Sequence, residues 1–199
     1  FSDVKVGLLS YVPIQYFIEK NLLEGYPDDT FRPDEEVTRA EALKFIEKTV
    51  IGENIVENIE KNITENETDE SITEKLPKQS SEIISPFTDV PSGHWAADAI
   101  KKAVERKIIN GYSDKTFKPN SSVNLVEAVK IMMESEKFVK KSASETAQKN
   151  IFQDVSGEEW FAPYIQEAKN RNMFRYGFKN MIYPDQKITR GYLVDMVYR

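Results

Sequence analysis

Gly111-Tyr112-Ser113-Asp114-Lys115-Thr116-Phe117-Lys118-Pro119 has a counterpart 86 positions earlier, Gly25-Tyr26-Pro27-Asp28-Asp29-Thr30-Phe31-Arg32-Pro33. Upstream, Phe87-Thr88-Asp89-Val90 matches Phe1-Ser2-Asp3-Val4 at the same offset and Phe152-Gln153-Asp154-Val155 at an offset of 65. Trp95 meets Trp160, and Ile14, Ile100 and Ile165 coincide. Downstream, Val37, Val123 and Ile188 align, followed by Thr38, Asn124 and Thr189. Coincidences this numerous at fixed offsets mark three copies of a unit of about 50 residues. A unit of that size buries too little surface to stand alone without a metal or disulfide, and the chain has no cysteine. The copies are therefore expected to pack on one another as one pseudo-threefold body.

Each copy reads as helix, loop, helix. Trp95, Ala96, Ala99, Ile100, Ala103, Val104 and Ile108 have the spacing of an amphipathic helix. Val12, Ile14, Phe17, Ile18 and Leu22 repeat it, and Pro13 and Pro163 sit near helix starts, where proline costs little. Glu24-Gly25 and Asn110-Gly111 read as glycine stop signals, and the Pro/Asp/Thr-rich stretch that follows is turn chemistry. A second helix opens at Thr38-Arg39-Ala40-Glu41, a capping box. Asn124-Leu125-Val126-Glu127 has the same logic; Thr189-Arg190-Gly191-Tyr192 keeps the cap but loses the acid. No alternating strand pattern of useful length appears, so the expected class is all-α.

The units fall at 1–50, 87–134 and 152–199, with connectors at 51–86 and 135–151. The first connector carries nine acids and three bases, which accounts for the whole net charge of −6 of the 199 residues. It reads as a solvated tether. An isoelectric point near 5.1 argues against nucleic acid, which calls for a basic stripe. Mean hydropathy is −0.53, and no apolar run approaches the roughly 18 residues of a membrane span. Without cysteine, thiolate metal sites and cysteine nucleophiles are excluded, and a lone histidine excludes multi-imidazole sites. No acid pair is marked out for glycoside hydrolysis. Asp28, Asp29 and Asp34 lack calcium-loop spacing. No catalytic, metal or cofactor site is therefore expected.

The composite pattern of Phe-x-Asp-Val, Trp-Ala, Gly-Tyr-x-Asp and Thr-Arg-Ala-Glu resembles the S-layer homology family. That resemblance implies three repeats arranged as a three-pronged pseudo-trimer around a central helical bundle. It implies an extracellular, non-enzymatic anchor at the bacterial cell wall, attached to a larger secreted protein. The chain opens on the first motif residue without a signal peptide, as a mature or excised piece of such a protein would. The implied ligand is a secondary cell wall polysaccharide or other peptidoglycan-linked glycan, often carrying a pyruvate ketal and hence a carboxylate, held in grooves between repeats. The implied contacts are Arg39, Arg190, Asp3, Asp89, Asp154, Trp95, Trp160, Gly25, Tyr26, Gly111 and Tyr112. Four departures stand out. Leu9 replaces a tryptophan, Leu125 an arginine and Tyr192 a glutamate, and Tyr176-Gly177 reverses the Gly-Tyr pair. At most two grooves are expected to keep an arginine.

The residues themselves leave alternatives open. Arg39 and Arg190 follow helix caps, where a cation opposes the helix dipole by about 0.3–1 kcal/mol. An anion bridging guanidinium and unpaired helix amides would compensate, since a charge-assisted hydrogen bond contributes about 1.5–3 kcal/mol. Equally, each arginine could pair with an acid of another unit. Most of each tryptophan ring is expected in the core, with a face left to stack on a sugar. Asp3, Asp89 and Asp154 suit a turn acceptor as well as a sugar contact, and Gly25 and Gly111 suit a positive φ. The alternative function is a protein-interaction or assembly module that kept the fold and lost glycan binding. Leu9, Leu125 and the acidic connector motivate it.

Overall fold

The computed structural model describes residues 1–51, 85–136, 150–174 and 180–199. Most of both connectors, and Tyr176-Gly177, lie outside the described residues. The order of elements is α1 (Tyr11–Glu19), α2 (Arg39–Ile46) with a π-helical turn over Glu47–Ile51, α3 (Ala97–Glu105), α4 (Leu125–Ser135), β1 (Asn150–Phe152), β2 (Val155–Ser156), α5 (Ala162–Asn170) and α6 (Arg190–Tyr198). Helix-loop-helix thus occurs three times, and the fold is mainly helical. The strands form one short antiparallel hairpin.

The first helices end earlier than the glycine signals suggest. Asn21, Lys107 and Asn172 take left-handed φ values of 55°, 63° and 56°. The next amide in each unit, of Leu22, Ile108 and Met173, reaches back five residues to Phe17, Ala103 and Ala168 at 2.8, 2.8 and 3.0 Å. This is a Schellman ending built without glycine. Gly25 and Gly111 serve a close approach instead. A Cβ on either would lie 2.1 Å from a ring carbon of Phe1 or Phe87, rings that also stack on Phe31 and Phe117. Only Gly111, at φ +70°, also needs the left-handed conformation.

The second helices start as their caps predict. Both capping boxes form, and Thr189 accepts the Tyr192 amide. The cap segments meet at the centre of the molecule in a ring of hydrogen bonds. The Val37 amide donates to the Ile188 carbonyl (3.0 Å), Ile188 to Val123 (3.2 Å) and Val123 to Val37 (3.0 Å). All three side chains are buried.

Packing is cyclic in the same sense. α3 packs on α2 and α5 on α4, and α1 closes the circle on α6. Each first helix therefore lies on the second helix of the preceding unit, with the first unit's lying on the third's. No unit completes its own core, which is why units this small coexist without a staple.

Candidate functional site

The seams between units determine what the arginines do. Arg190, the first residue of α6, is 9% exposed. Its Nε donates to the Phe31 carbonyl at 2.8 Å and its Nη1 to Glu41 Oε1 at 2.8 Å. The guanidinium lies 4.8 Å from the Tyr26 ring centre and 4.7 Å from that of Phe31. Arg39, 8% exposed, repeats this one seam on. Its Nε donates to the Phe117 carbonyl (3.0 Å) and its Nη1 to Glu127 Oε1 (3.0 Å), and Tyr112 and Phe117 lie beneath it. Of the two alternatives open for these arginines, the structure forms the ion pair between units.

The acids of the capping boxes carry both jobs. Glu41 accepts the Thr38 amide and hydroxyl on one oxygen, and Arg190 and the Tyr26 hydroxyl on the other. Burial pushes its carboxyl up, but Thr38, Arg190 and Tyr26 outweigh burial and hold it below the ordinary value. Burial also raises the Tyr26 hydroxyl; Arg190 opposes this and Glu41 adds to it.

The helix amides are occupied as well. The Arg190 and Gly191 amides donate to the Glu35 (2.9 Å) and Pro33 (2.8 Å) carbonyls; those of Arg39 and Ala40 donate to Ser121 (2.9 Å) and Pro119 (3.1 Å). The third amide in each helix goes to the cap side chain. An anion bridging guanidinium and open amides is therefore not available, because the loop of the next unit has taken the amides.

Beside Arg190 a cleft of about 290 Å³ opens. The first unit lines it with Gly25, Tyr26, Glu41 and Lys44, the second contributes Trp95, and the third Arg190. Trp95 precedes α3 rather than sitting on it, and is 54% exposed. The ring expected mostly in the core instead faces out, with His94 stacked on it and the Lys44 Nζ 5.4 Å from its centre. Trp160 is 59% exposed, with the Lys130 Nζ at 5.9 Å. Around the second seam stand Arg39, Tyr112, Glu127, Lys130 and Trp160; Gly111 adjoins Tyr112.

The three aspartates build the loops. Asp3 accepts the Phe31 and Arg32 amides (2.8 and 2.6 Å), Asp89 those of Phe117 and Lys118 (2.8 and 2.7 Å), and Asp154 those of Ile182 and Tyr183 (3.1 and 2.7 Å). Burial raises the Asp3 carboxyl, and the two amides outweigh it to leave it below the ordinary value. These bonds place the Phe31 and Phe117 carbonyls that receive the arginines.

Lys44 and Lys130 escape a motif-based reading, since neither belongs to the repeated signature. The 86-residue offset pairs them, and the further 65 places Asp195 opposite. The cyclic packing also explains the departures. A groove takes its Gly-Tyr turn, glutamate and lysine from one unit, its tryptophan from the next and its arginine from the one before. By the same offsets Leu9, Leu125, Tyr192 and Asp195, scattered over three units, take the corresponding places of a third seam. Leu9 and Asp195 do line one cleft, with Arg171 and Tyr198. Leu125 is buried, and Tyr192 packs against the core. Asp195 is buried and pairs with Arg199 at 3.0 Å.

Fold and seams together define a class: a mainly helical module in which helix-loop-helix recurs and a cleft is shared among the recurring units. Residues 13–43 and 86–128 match the model of the S-layer homology domain, and the chain belongs to that family. It is 32% identical over 139 residues to the cellulosome-anchoring protein of Acetivibrio thermocellus, covering 68% of this chain and 25% of that protein. It is 32% identical over 111 residues to an S-layer protein of Bacillus licheniformis, covering 56% and 12%. Over all 199 residues it is 25% identical to exoglucanase XynX of Acetivibrio thermocellus, spanning 16% of that enzyme. The chain thus spans a quarter or less of each of these relatives.

Proposed function

We propose that this chain is a cell-surface anchoring module that binds an acidic, peptidoglycan-linked wall polysaccharide in its first two grooves. The observation that carries the reading is the cleft beside Arg190, where an exposed indole of the second unit meets a tyrosine, a glycine and a lysine of the first. An indole face suits a sugar ring, and a cationic rim suits a carboxylate, as a pyruvate ketal would present. Gly25, Tyr26 and Trp95 beside Arg190, and Gly111, Tyr112 and Trp160 beside Arg39, are the contacts; Asp3, Asp89 and Asp154 hold the loops.

Residues 152–199 act as a third repeat of the family. Support comes from the backbone: left-handed Asn172, Asn180 and Tyr183 stand at the offsets of Lys107, Lys115 and Lys118. The relative named as an exoglucanase is matched over 16% of its length, so the module is read as the anchor rather than the catalyst. No helix among the described residues is long and apolar enough to cross a membrane, and attachment through wall polymer fits that.

Co-sedimentation with sacculi that retain their wall polymer tests the reading. Wild-type protein is expected to pellet and the Trp95→Ala/Trp160→Ala variant to stay in solution. Equal pelleting of the two would contradict it. With two grooves on one polymer, avidity can exceed single-site affinity by about 10²–10⁴. The exposed tryptophans are better probes than the arginines, whose removal would open the seams.

A further inference from the structure

Trp95 stands more than half in solvent, at 54% exposed, so burial in the core does not set its place at the cleft. Two groups flank the indole. The Lys44 ammonium lies 5.4 Å from its centre, and the His94 ring stacks on it with centres 5.5 Å apart and planes at 29°. His94 is the one histidine of the 199 residues. Its Nδ1 accepts the Ala96 amide at 3.1 Å, and its carbonyl accepts the Ala97 amide at 2.9 Å. The N-cap of α3 is Ala96, which has no side-chain cap bond to offer. The histidine therefore holds the start of α3 from two residues upstream. Its two bonds bracket Trp95 and fix the backbone from which the indole projects.

The other two units separate this device from the turn they all share. The carbonyl bond recurs, from the Tyr11 amide to Leu8 at 2.9 Å and from the Ala162 amide to Glu159 at 2.9 Å. The imidazole does not. Leu8 has no side-chain acceptor, and the residue before Trp160 is Glu159. There the indole sits edge-on against Phe161, at 5.3 Å and 87°, in place of a stacked neighbour. The second groove thus places its tryptophan without a group that changes charge near neutrality, and the first groove does not.

We propose that His94 is a positioning residue for Trp95 that works only while its ring is neutral, so that mild acid releases the indole of the first groove and leaves that of the second in place. A neutral imidazole has one accepting and one donating nitrogen, whereas the imidazolium donates from both. A protonated Nδ1 cannot accept the Ala96 amide, and its charge would stand at the N-terminus of α3, where the helix dipole opposes a cation. Histidine side chains change charge between about pH 5 and 8. The carboxylates of the surrounding elements are engaged elsewhere. Asp98 of α3 pairs with Lys102 at 2.6 Å. Across the seam, Glu24 pairs with Lys48 and Glu41 with Arg190, both at 2.8 Å, and Glu47 lies in the field of Lys102 and Arg106. Lys44, on the far side of the indole, adds a like charge. What the release means for a ligand rests on Trp95 being a contact of the first groove, as read above; the release itself does not.

The test uses the full chain without ligand. The χ1 couplings of Trp95 and Trp160 and the Ala96 amide shift are followed by nuclear magnetic resonance from about pH 8 to about pH 5. Wild-type protein is expected to hold Trp95 in one rotamer at the upper end and to lose that preference at the lower. The Ala96 amide should move with it, and Trp160 should stay unchanged. His94→Asn keeps an acceptor two residues before the Ala96 amide, the geometry of an Asx-turn, and does not titrate, so Trp95 should be held at both ends. His94→Ala should show the acid pattern at both ends. A wild-type Trp95 that keeps its rotamer in acid overturns the proposal. So does a loss that persists in His94→Asn, or a Trp95 that stays fixed in His94→Ala. Trp160 reports on the fold of each variant; if His94→Ala does not fold, wild type against His94→Asn decides alone. Failure to pellet with sacculi would sink the anchoring reading and leave this result standing, because the couplings are read on the free protein.

Discussion

At the scale of single residues, one carboxylate decides most of a seam. Glu41 ends the electrostatic isolation of Arg190, caps its own helix and fixes Tyr26. Replacing Arg190 by Ala leaves Glu41 facing an empty seam, and stability should fall by about 3 kcal/mol in urea melts. The pH dependence has a definite sign. The folded carboxyl lies below its ordinary value of 4.5, so its stabilisation is present above that value and is lost as pH falls through the lowered one. Urea midpoints of wild type and Glu41→Gln should therefore differ most near neutrality and converge as the solution is acidified; a gap that stays constant would contradict the assignment. The capping role of Glu41 was legible in Thr38-Arg39-Ala40-Glu41, because capping is local. Its arginine partner was not, because Arg190 lies 149 residues away in sequence and spacing within a unit says nothing about which unit comes next to it.

At the scale of elements, the loops are as constrained as the helices. The ring of Phe1 lies where a side chain on Gly25 would go, and Phe87 does the same at Gly111. Gly25→Ala should cost about 1–3 kcal/mol through overpacking. Gly111→Ala should cost more, because alanine must also adopt φ +70°; thermal melts rank the two. The helical periodicity was legible in the sequence, and the caps placed the starts of α2, α4 and α6 correctly. The ends of the first helices were misread, since Asn21, Lys107 and Asn172 accept the left-handed conformation that usually signals glycine. The third seam supplies another test. Leu125 and Tyr192 occupy the arginine and glutamate places of one pair, so Leu125→Arg alone should destabilise and Leu125→Arg/Tyr192→Glu should recover part of the loss. A double-mutant coupling of about 0.5–3 kcal/mol is expected; zero coupling would contradict the cyclic pairing.

At the scale of the whole molecule, the ring of Val37, Val123 and Ile188 and the α1–α6 contact close three incomplete units into one body. Unfolding of the full chain should follow a single transition, the same by tryptophan fluorescence and by circular dichroism. Separate transitions would mean that the units fold independently. Repetition itself was plain in the sequence, because identical motifs recur at fixed offsets. The sharing of the first groove by three units was not, and so Leu9, Leu125 and Tyr192 read as separate losses in separate repeats when the offsets and the cyclic packing put them at one seam. The most direct measurement is a chemical-shift map of the protein titrated with solubilised, peptidoglycan-derived wall polymer. Shifts are predicted at Gly25, Tyr26, Lys44 and Trp95 and at Gly111, Tyr112, Lys130 and Trp160, with Leu9 and Asp195 unmoved. Shifts centred on the Leu9–Asp195 cleft, or none at either tryptophan, would contradict the account.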